Sequence, residues 1–439
     1  MIISKKNLYK FIYVLIFLPF LTRFFTDNYG VSYAVMPLFD LWSVFILVLS
    51  YYIVRFKNMS VHILEFWFIA FLVVGVISIS VNGDGSLSGI YYSGRPYMRM
   101  ILSMLVSAIV LDFTSLKRIF KYLEMLLYLN VLFMTYQYIF GGLRQDIIGG
   151  TFGNSQGCNT IQNILCVFVF SVTLMMFLKK VFSTRRLILN TLVVLYVASL
   201  AEINLLYLEV LLIVIIALLF NKEFLYRISL NKILIFVSAL IISLAALILF
   251  IKFNPDRVFL FSTQNILEYL GFNEGSTGVY RISRLRVFSQ LGNSFFRNDE
   301  LKWLFGFGLG NCSSHSEFYR MFSDLQYTYF SSSITFLETG YFGVLVNIGA
   351  ILTTMFLGLS IRKKVINIEE KAYIEVSIIM SVILIMMFFY NTTLRDSYTA
   401  FLSGTIIIAP YLIEDSQKQS RKENYSDIKK STLHMAWKK

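Results

Sequence analysis

The sequence predicts an all-α polytopic membrane protein with about 12 transmembrane helices and one large extracytoplasmic loop containing short helices. Three observations predict it. Of the 439 residues, 57% are hydrophobic and only 15% charged, more apolar sequence than a soluble core of this size needs. Apolar stretches of 15 to 22 residues recur along almost the whole chain. Lysines and arginines, finally, gather between alternate stretches. Backbone groups in lipid must be bonded internally, so each stretch is expected to be a helix.

The spans are expected at about 8–22, 37–54, 61–81, 97–113, 120–140, 157–178, 187–201, 205–220, 233–251, 335–359, 373–390 and 398–413. The start of the chain, Lys5, Lys6 and Lys10 before an apolar run, resembles a signal peptide. It lacks a small-residue cleavage site and further spans follow, so it reads as the first helix. The stretches at 187–201 and 205–220 are separated only within SLAEINLLYLEV and form either a hairpin or one broken helix. This divides the chain into spans one to nine (1–251), a large outer loop (252–334), spans ten to twelve (335–413) and a basic cytoplasmic tail (414–439).

Charge sets the orientation. With the N-terminus inside, 26 of the 39 basic residues fall in cytoplasmic segments, so both termini are expected in the cytoplasm. The net charge of +13 is thereby explained as topology and does not imply nucleic acid. The inner set holds 19 Lys and 7 Arg, whereas the outer 13 comprise 11 Arg and two Lys. Either cation serves topology; Arg is the planar, bidentate binder of phosphate and carboxylate. Three cysteines, Cys158, Cys166 and Cys312, give neither a disulfide framework nor a metal-ligand spacing.

The outer loop carries eight of those 13 outer cations. Loops of this length are usually functional. Residues 278–297 read as an amphipathic helix with apolar Ile282, Leu285, Phe288 and Leu291, placing Arg281 and Arg284 on neighbouring faces and Arg286 away from them. GFGLGN, with Gly306, Gly308 and Gly310, reads as a tight turn or as a backbone-amide nest for an anion. It lacks the Lys-Ser/Thr of a phosphate loop. His315 is the sole outward histidine, either incidental or a general base.

Acidic residues divide by depth. Glu65, Asp112, Glu124 and Glu375 stand near inner span ends and are expected to be interfacial. Glu202, Glu209 and Glu338 lie toward outer ends, where a charge is costly unless used or paired, and the outer arginines are the matching partners. SGRPYMR places Arg95 and Arg99, and NTTLRDS places Arg395, at outer span ends as well. The loop aromatics Tyr280, Trp303, Tyr319, Tyr327 and Tyr329 either stack on sugars or pack at the interface.

In order along the chain, TGVYRISRLRVF, LFGFGLGN and SSSITFLETGYFGVL resemble the most recurrent region of the polysaccharide polymerase and ligase superfamily, the Wzy-type O-antigen and capsule polymerases. GTFGNSQG before the sixth span and FYNTTLRDSY near the end resemble weaker family positions. The resemblance implies a membrane glycosyltransferase with a GT-C-like fold, working without cofactor or metal at the outer face of the bacterial cytoplasmic membrane. Its donor would be a glycan on undecaprenyl pyrophosphate, and a flippase and a chain-length regulator would be partners. Arg284 best matches the arginine that holds pyrophosphate, with Arg281 next, and Arg95 resembles an arginine of an earlier outer loop. Arg99, Arg320, Arg395 and Glu202 complete the candidate substrate-binding set, and His315 or Glu338 the candidate base. The flanks of His315 do not match the ligase motif, and AEIN stands where ligases carry Ser-Arg-Gly, which argues against the ligase branch. The competing class is a lipid-linked sugar flippase, which would call for internal repeats and ionisable groups at the midplane; the sequence shows no convincing repeat.

Overall fold

The computed structural model describes residues 5–53, 59–82, 87–221, 282, 284, 286–313, 316–322 and 327–418. The expected ninth span at 233–251, Arg281, His315 and the tail beyond 418 lie outside the described residues. The described residues are helical throughout, with no strand among them. Long helices follow one another: α1 (Lys5–Tyr29), α2 (Met36–Ile53), α3 (Met59–Asn82), α4 (Leu87–Val110), α5 (Phe113–Ile139), α6 (Cys158–Leu178), α7 (Thr184–Leu200) and α8 (Asn204–Phe220). Three short helices of the outer loop come next, α9 (Val287–Leu291), α10 (Glu300–Phe305) and α11 (Glu317–Phe322). The chain then returns through α12 (Ser331–Arg362), α13 (Ile368–Tyr390) and α14 (Ala400–Ile406).

Seven of these helices are long and apolar enough to cross a membrane: α1, α2, α3, α5, α6, α12 and α13. The protein is thus a multi-pass helical membrane protein by length and composition. α6 is the centre of the bundle, 94% buried over its apolar window, and α13 follows at 78%. α2 and α3, at 33% and 28%, form the rim whose apolar side chains face lipid. The pair expected at 187–220 is two helices, α7 and α8, joined by a three-residue turn in which Glu202 takes a positive φ of 53°.

Several boundaries differ from the sequence reading. α4 starts ten residues before the expected 97, because SGIYYSGR continues the helix outward from the apolar run. The last span, expected at 398–413, is two pieces: α14 ends at Ile406 and helix resumes over 409–418. Pro410 is tolerated there because it falls in the first turn of the second piece, where its missing N–H has no partner to lose. The amphipathic helix expected over 278–297 begins only at Val287; Ile282, Arg284 and Arg286 precede it in irregular chain, and it widens into a π turn over Gly292–Phe296.

Polar groups collect at the two ends of the bundle. At the end the charge pattern assigns to the cytoplasm, helix starts are capped: Asp112 accepts from Ser115 N (2.6 Å), and Asn367 from Glu369 N (2.9 Å) and Glu370 N (3.3 Å). Glu124 and Glu375, expected to be interfacial, are instead buried and paired across helices. Glu375 sits between Lys179 Nζ (3.0 Å) and Arg362 Nε (2.5 Å), and Glu124 meets Arg186 Nε (2.8 Å) and Asn190 Nδ2 (2.8 Å). Helical periodicity turns these carboxylates inward, and burial is tolerable only because cations from neighbouring helices reach them.

Candidate functional site

The opposite end holds the candidate site. α12 is interrupted at Gly340, whose φ of 61° and ψ of −159° lie outside helical space. The break lets a second backbone cross it. A Cβ on Gly340 would lie 2.3 Å from the Leu304 carbonyl carbon, and one on Gly306 would lie 2.5 Å from Glu338 C and Thr339 N. The glycines of GFGLG and ETG are therefore two halves of one crossing, each needed for the other's approach. Hydrogen bonds register it: Phe307 N donates to Leu337 O (2.7 Å) and Gly308 N to Glu338 O (3.0 Å). Ser78 Oγ of α3 donates to the same Glu338 carbonyl.

GFGLGN is both a turn and a nest, and the anion in the nest is Glu338. Its Oε1 accepts from Gly310 N (3.2 Å) and Cys312 N (3.3 Å), while Oε2 accepts from Arg395 Nη2 at 2.9 Å. Glu338 is fully buried and Arg395 nearly so. From Arg395 the chain of contacts continues: Arg99 Nη1 donates to the Arg395 carbonyl (2.7 Å) and grips Asp40 with Nε (2.7 Å) and Nη2 (2.9 Å). Arg95, one turn earlier on α4, adds Nη1 to Asp40 Oδ2 at 3.1 Å and lies over the Tyr91 ring. Three arginines and two carboxylates thus link α2, α4, α12 and the loop after α13.

Arg284 reaches the same loop. Its guanidinium lies 4.5 Å from the Tyr390 ring centroid and 5.1 Å from that of Phe330, and Nε donates to Tyr390 O at 3.5 Å. Ser331 N and Oγ both donate to Asn391 O (2.8 and 2.9 Å), tying this loop to the start of α12. On the far side, GTFGNSQG is pinned to α1: Asp27 Oδ2 accepts from Asn154 N (2.9 Å) and Ser155 Oγ (2.8 Å), and Arg23 donates to Ser155 Oγ (2.9 Å). Arg23 lies 5.5 Å from the Tyr398 ring centroid, which brings this second cluster to the same loop.

Arg395 Nη1 is buried without a hydrogen-bond partner among the described residues, as are the hydroxyls of Ser332 and Thr335 on α12 and of Thr393 in the loop after α13. The Arg395 nitrogen can only donate, so an oxygen-rich or negatively charged ligand suits it, and a hydroxyl can serve such a ligand as donor or acceptor. Asp396 differs from Glu338 and Asp40: among the described residues no arginine lies within ion-pair distance of it, and its Oδ1 accepts from Tyr398 N at 3.0 Å. Burial pushes its carboxyl above the ordinary value, a rise opposed by the Tyr398 amide and by the charges of Arg99 and Arg23. Burial likewise drives the Cys312 thiol well up, and the charge of Glu338 adds to it.

Of the residues singled out from sequence, Arg95, Arg99, Arg395 and Glu338 come together, and Arg284 borders them. Glu202 occupies the α7–α8 turn, and Arg320 is exposed on α11. Trp303 packs edge to face on Phe296 and stacks on Tyr341, and its Nε1 donates to Arg297 O (2.9 Å), so it is a packing residue. Sequence reasoning missed Asp40, Asp27 and the unpartnered hydroxyls, and counted Arg23 among the outer arginines without placing it in the candidate site. An aspartate five positions into an apolar helix was a usable signal for Asp40; serines and threonines in spans carry none. No protein-family model matches the chain, and no curated protein matches its sequence.

Proposed function

We propose that the protein is a polysaccharide repeat-unit polymerase of the bacterial cytoplasmic membrane. It transfers a glycan from undecaprenyl pyrophosphate to a second lipid-linked repeat unit at the outer face. The observation that carries this reading is the buried guanidinium of Arg395, with one nitrogen held by Glu338 and the other without an acceptor, beside Arg99, Arg95 and Arg284. In the transfer the bond from the sugar's anomeric carbon to the pyrophosphate oxygen breaks, and one to the acceptor's hydroxyl oxygen forms. Charge develops on the leaving pyrophosphate, and preorganised arginines stabilise it there more than in the ground state. The acceptor's proton needs a base. Glu338 is committed to Arg395 and two backbone amides, so it positions the arginine. Asp396, free of an arginine partner, is the better acceptor of that proton.

Arg284 is the first test. Arg284→Ala shortens the glycan ladder to single repeats, and Arg284→Lys, which keeps charge but loses the planar fork, restores it only in part. Normal long chains from both variants would remove the reading. Purified protein given donor already on the acceptor side should elongate it; movement of donor across the bilayer without elongation would assign a flippase instead.

Asp396 gives a pH signature. As a base it works ionised, so the rate rises with pH through its pKa, which burial places above the ordinary 3.8. Asp396→Asn abolishes elongation, while Asp396→Glu retains it together with the acid limb. Stability runs the other way. The folded state holds this proton more tightly, so the group's contribution declines as pH climbs from 3.8 to the raised value and is flat above it. Asp396→Asn is therefore expected to melt no lower than the parent at neutral pH, which separates lost chemistry from lost fold.

A further inference from the structure

Away from this cluster, one carboxyl stands in the membrane-spanning bundle with no charged side chain to meet it among the described residues. Glu209 is on α8, five residues after the helix begins, and is fully buried. At 1.5 Å per residue that is about 8 Å below the end of the helix. Neither carboxyl oxygen accepts a hydrogen bond. The nearest polar group is the Asn163 amide of α6, at the matching depth five residues after Cys158, and its Oδ1 also lacks a donor. The Cys166 thiol, one turn farther along α6, is the titratable side chain that shares this contact. Besides α6, helices α7 and α13 pack against α8, and neither turns a charged side chain to Glu209 among the described residues.

An ionised carboxylate buried in this way, with no donor and no cation, would cost several kcal/mol. One proton repairs both defects. The carboxyl O–H donates to Asn163 Oδ1, reached by turning the amide about its last side-chain bond, so an orphan acid and an orphan amide oxygen become one hydrogen bond between α6 and α8. Beside Asn163, Gln162 donates Nε2 to Ile148 O (3.0 Å) in the loop between α5 and α6, and its own Oε1 is without a donor. Polar groups therefore continue from Asn163 toward the end of the bundle that carries the arginine cluster.

We propose that Glu209 is a proton-binding site within the membrane, holding its proton against Asn163 and exchanging it from the side of the 145–153 loop. Occupied, the site bonds α6 to α8; emptied, it places an uncompensated charge between them and loosens their contact. This inference does not depend on the glycan reading.

The experiment uses the full chain in lipid nanodiscs and dicyclohexylcarbodiimide, an apolar reagent to which a protonated carboxyl adds whole, with no leaving group. Peptide mass spectrometry reads the adduct. Glu209 should be labelled at mildly acidic pH, the labelling rate falling about tenfold per pH unit once pH passes the pKa of the acid. A water-soluble carbodiimide should label it far less. Glu209→Gln should lose the adduct yet melt close to the parent, because a neutral amide replaces a neutral acid. Labelling that appears only after denaturation, or a Glu209→Gln variant that melts far below the parent, would overturn the proposal. Protection by sodium ions at constant pH would also overturn it, reassigning the four oxygens to a metal cation.

Discussion

Arg395→Ala unfolds the end of the bundle that holds Glu338. The substitution leaves the Glu338 carboxylate buried with only two long backbone hydrogen bonds, at 3.2 and 3.3 Å. Removing one partner of a buried ion pair costs about 3–5 kcal/mol, since the remaining charge has lost its counter-ion but not its burial. Glu338→Gln is destabilising in turn, because the buried Arg395 guanidinium loses its counter-ion even though the amide can still accept from Gly310 and Cys312. Combined in one chain, the two changes should cost less than their sum, with a coupling of about 1–3 kcal/mol. Thermal unfolding of the four proteins in detergent measures this cycle directly. Additive losses would mean that the 2.9 Å contact carries no energy of its own. Asp40 offers a parallel case in which one carboxylate serves both Arg95 and Arg99.

Gly340→Ala is expected to be as damaging without touching any charge. A methyl group there meets Leu304 C at 2.3 Å, Leu304 O at 2.4 Å and Phe305 N at 2.5 Å, all backbone atoms that cannot rotate away. The residue also has a φ of 61° with an extended ψ, a region nearly closed to side chains. Strain of about 1–3 kcal/mol from the backbone and a similar amount from overpacking add at this site. The variant should elute as aggregate or melt many degrees lower. Gly94→Ala is the control. Its added methyl has nothing within 4 Å and lies in the middle of α4, so it should be neutral or slightly stabilising. If both behave alike, the crossing of GFGLG and ETG is not what sets the geometry of Glu338.

How much of this was legible in the chain depends on which physical rule was in force. Helices and their approximate places follow from hydrophobic length, because lipid leaves the backbone no other way to bond itself. α6 accordingly begins and ends within a residue of its apolar run, and α5 and α13 end where theirs do, although both start several residues earlier. The boundaries that moved, at α4 and at 398–413, are those where a polar start or a proline is accommodated by neighbouring helices. The pairing of an outer acid with an outer arginine was also open to argument, since neither tolerates burial alone. The choice of Arg395 for Glu338, rather than Arg284 or Arg281, was not.

What the sequence by itself determined is the class of molecule, the alternation of basic segments and the presence of outer arginines and acids at span ends. These depend on local length, periodicity and composition. Only the tertiary structure decided that GFGLGN cradles a carboxylate of its own chain, that Asp40 joins Arg95 to Arg99, and that Asp396 and Glu209 meet no cation among the described residues. Each of these depends on contacts between residues tens to hundreds of positions apart. Such contacts are selected by how helices pack, and a local pattern carries no record of which helix will be the neighbour.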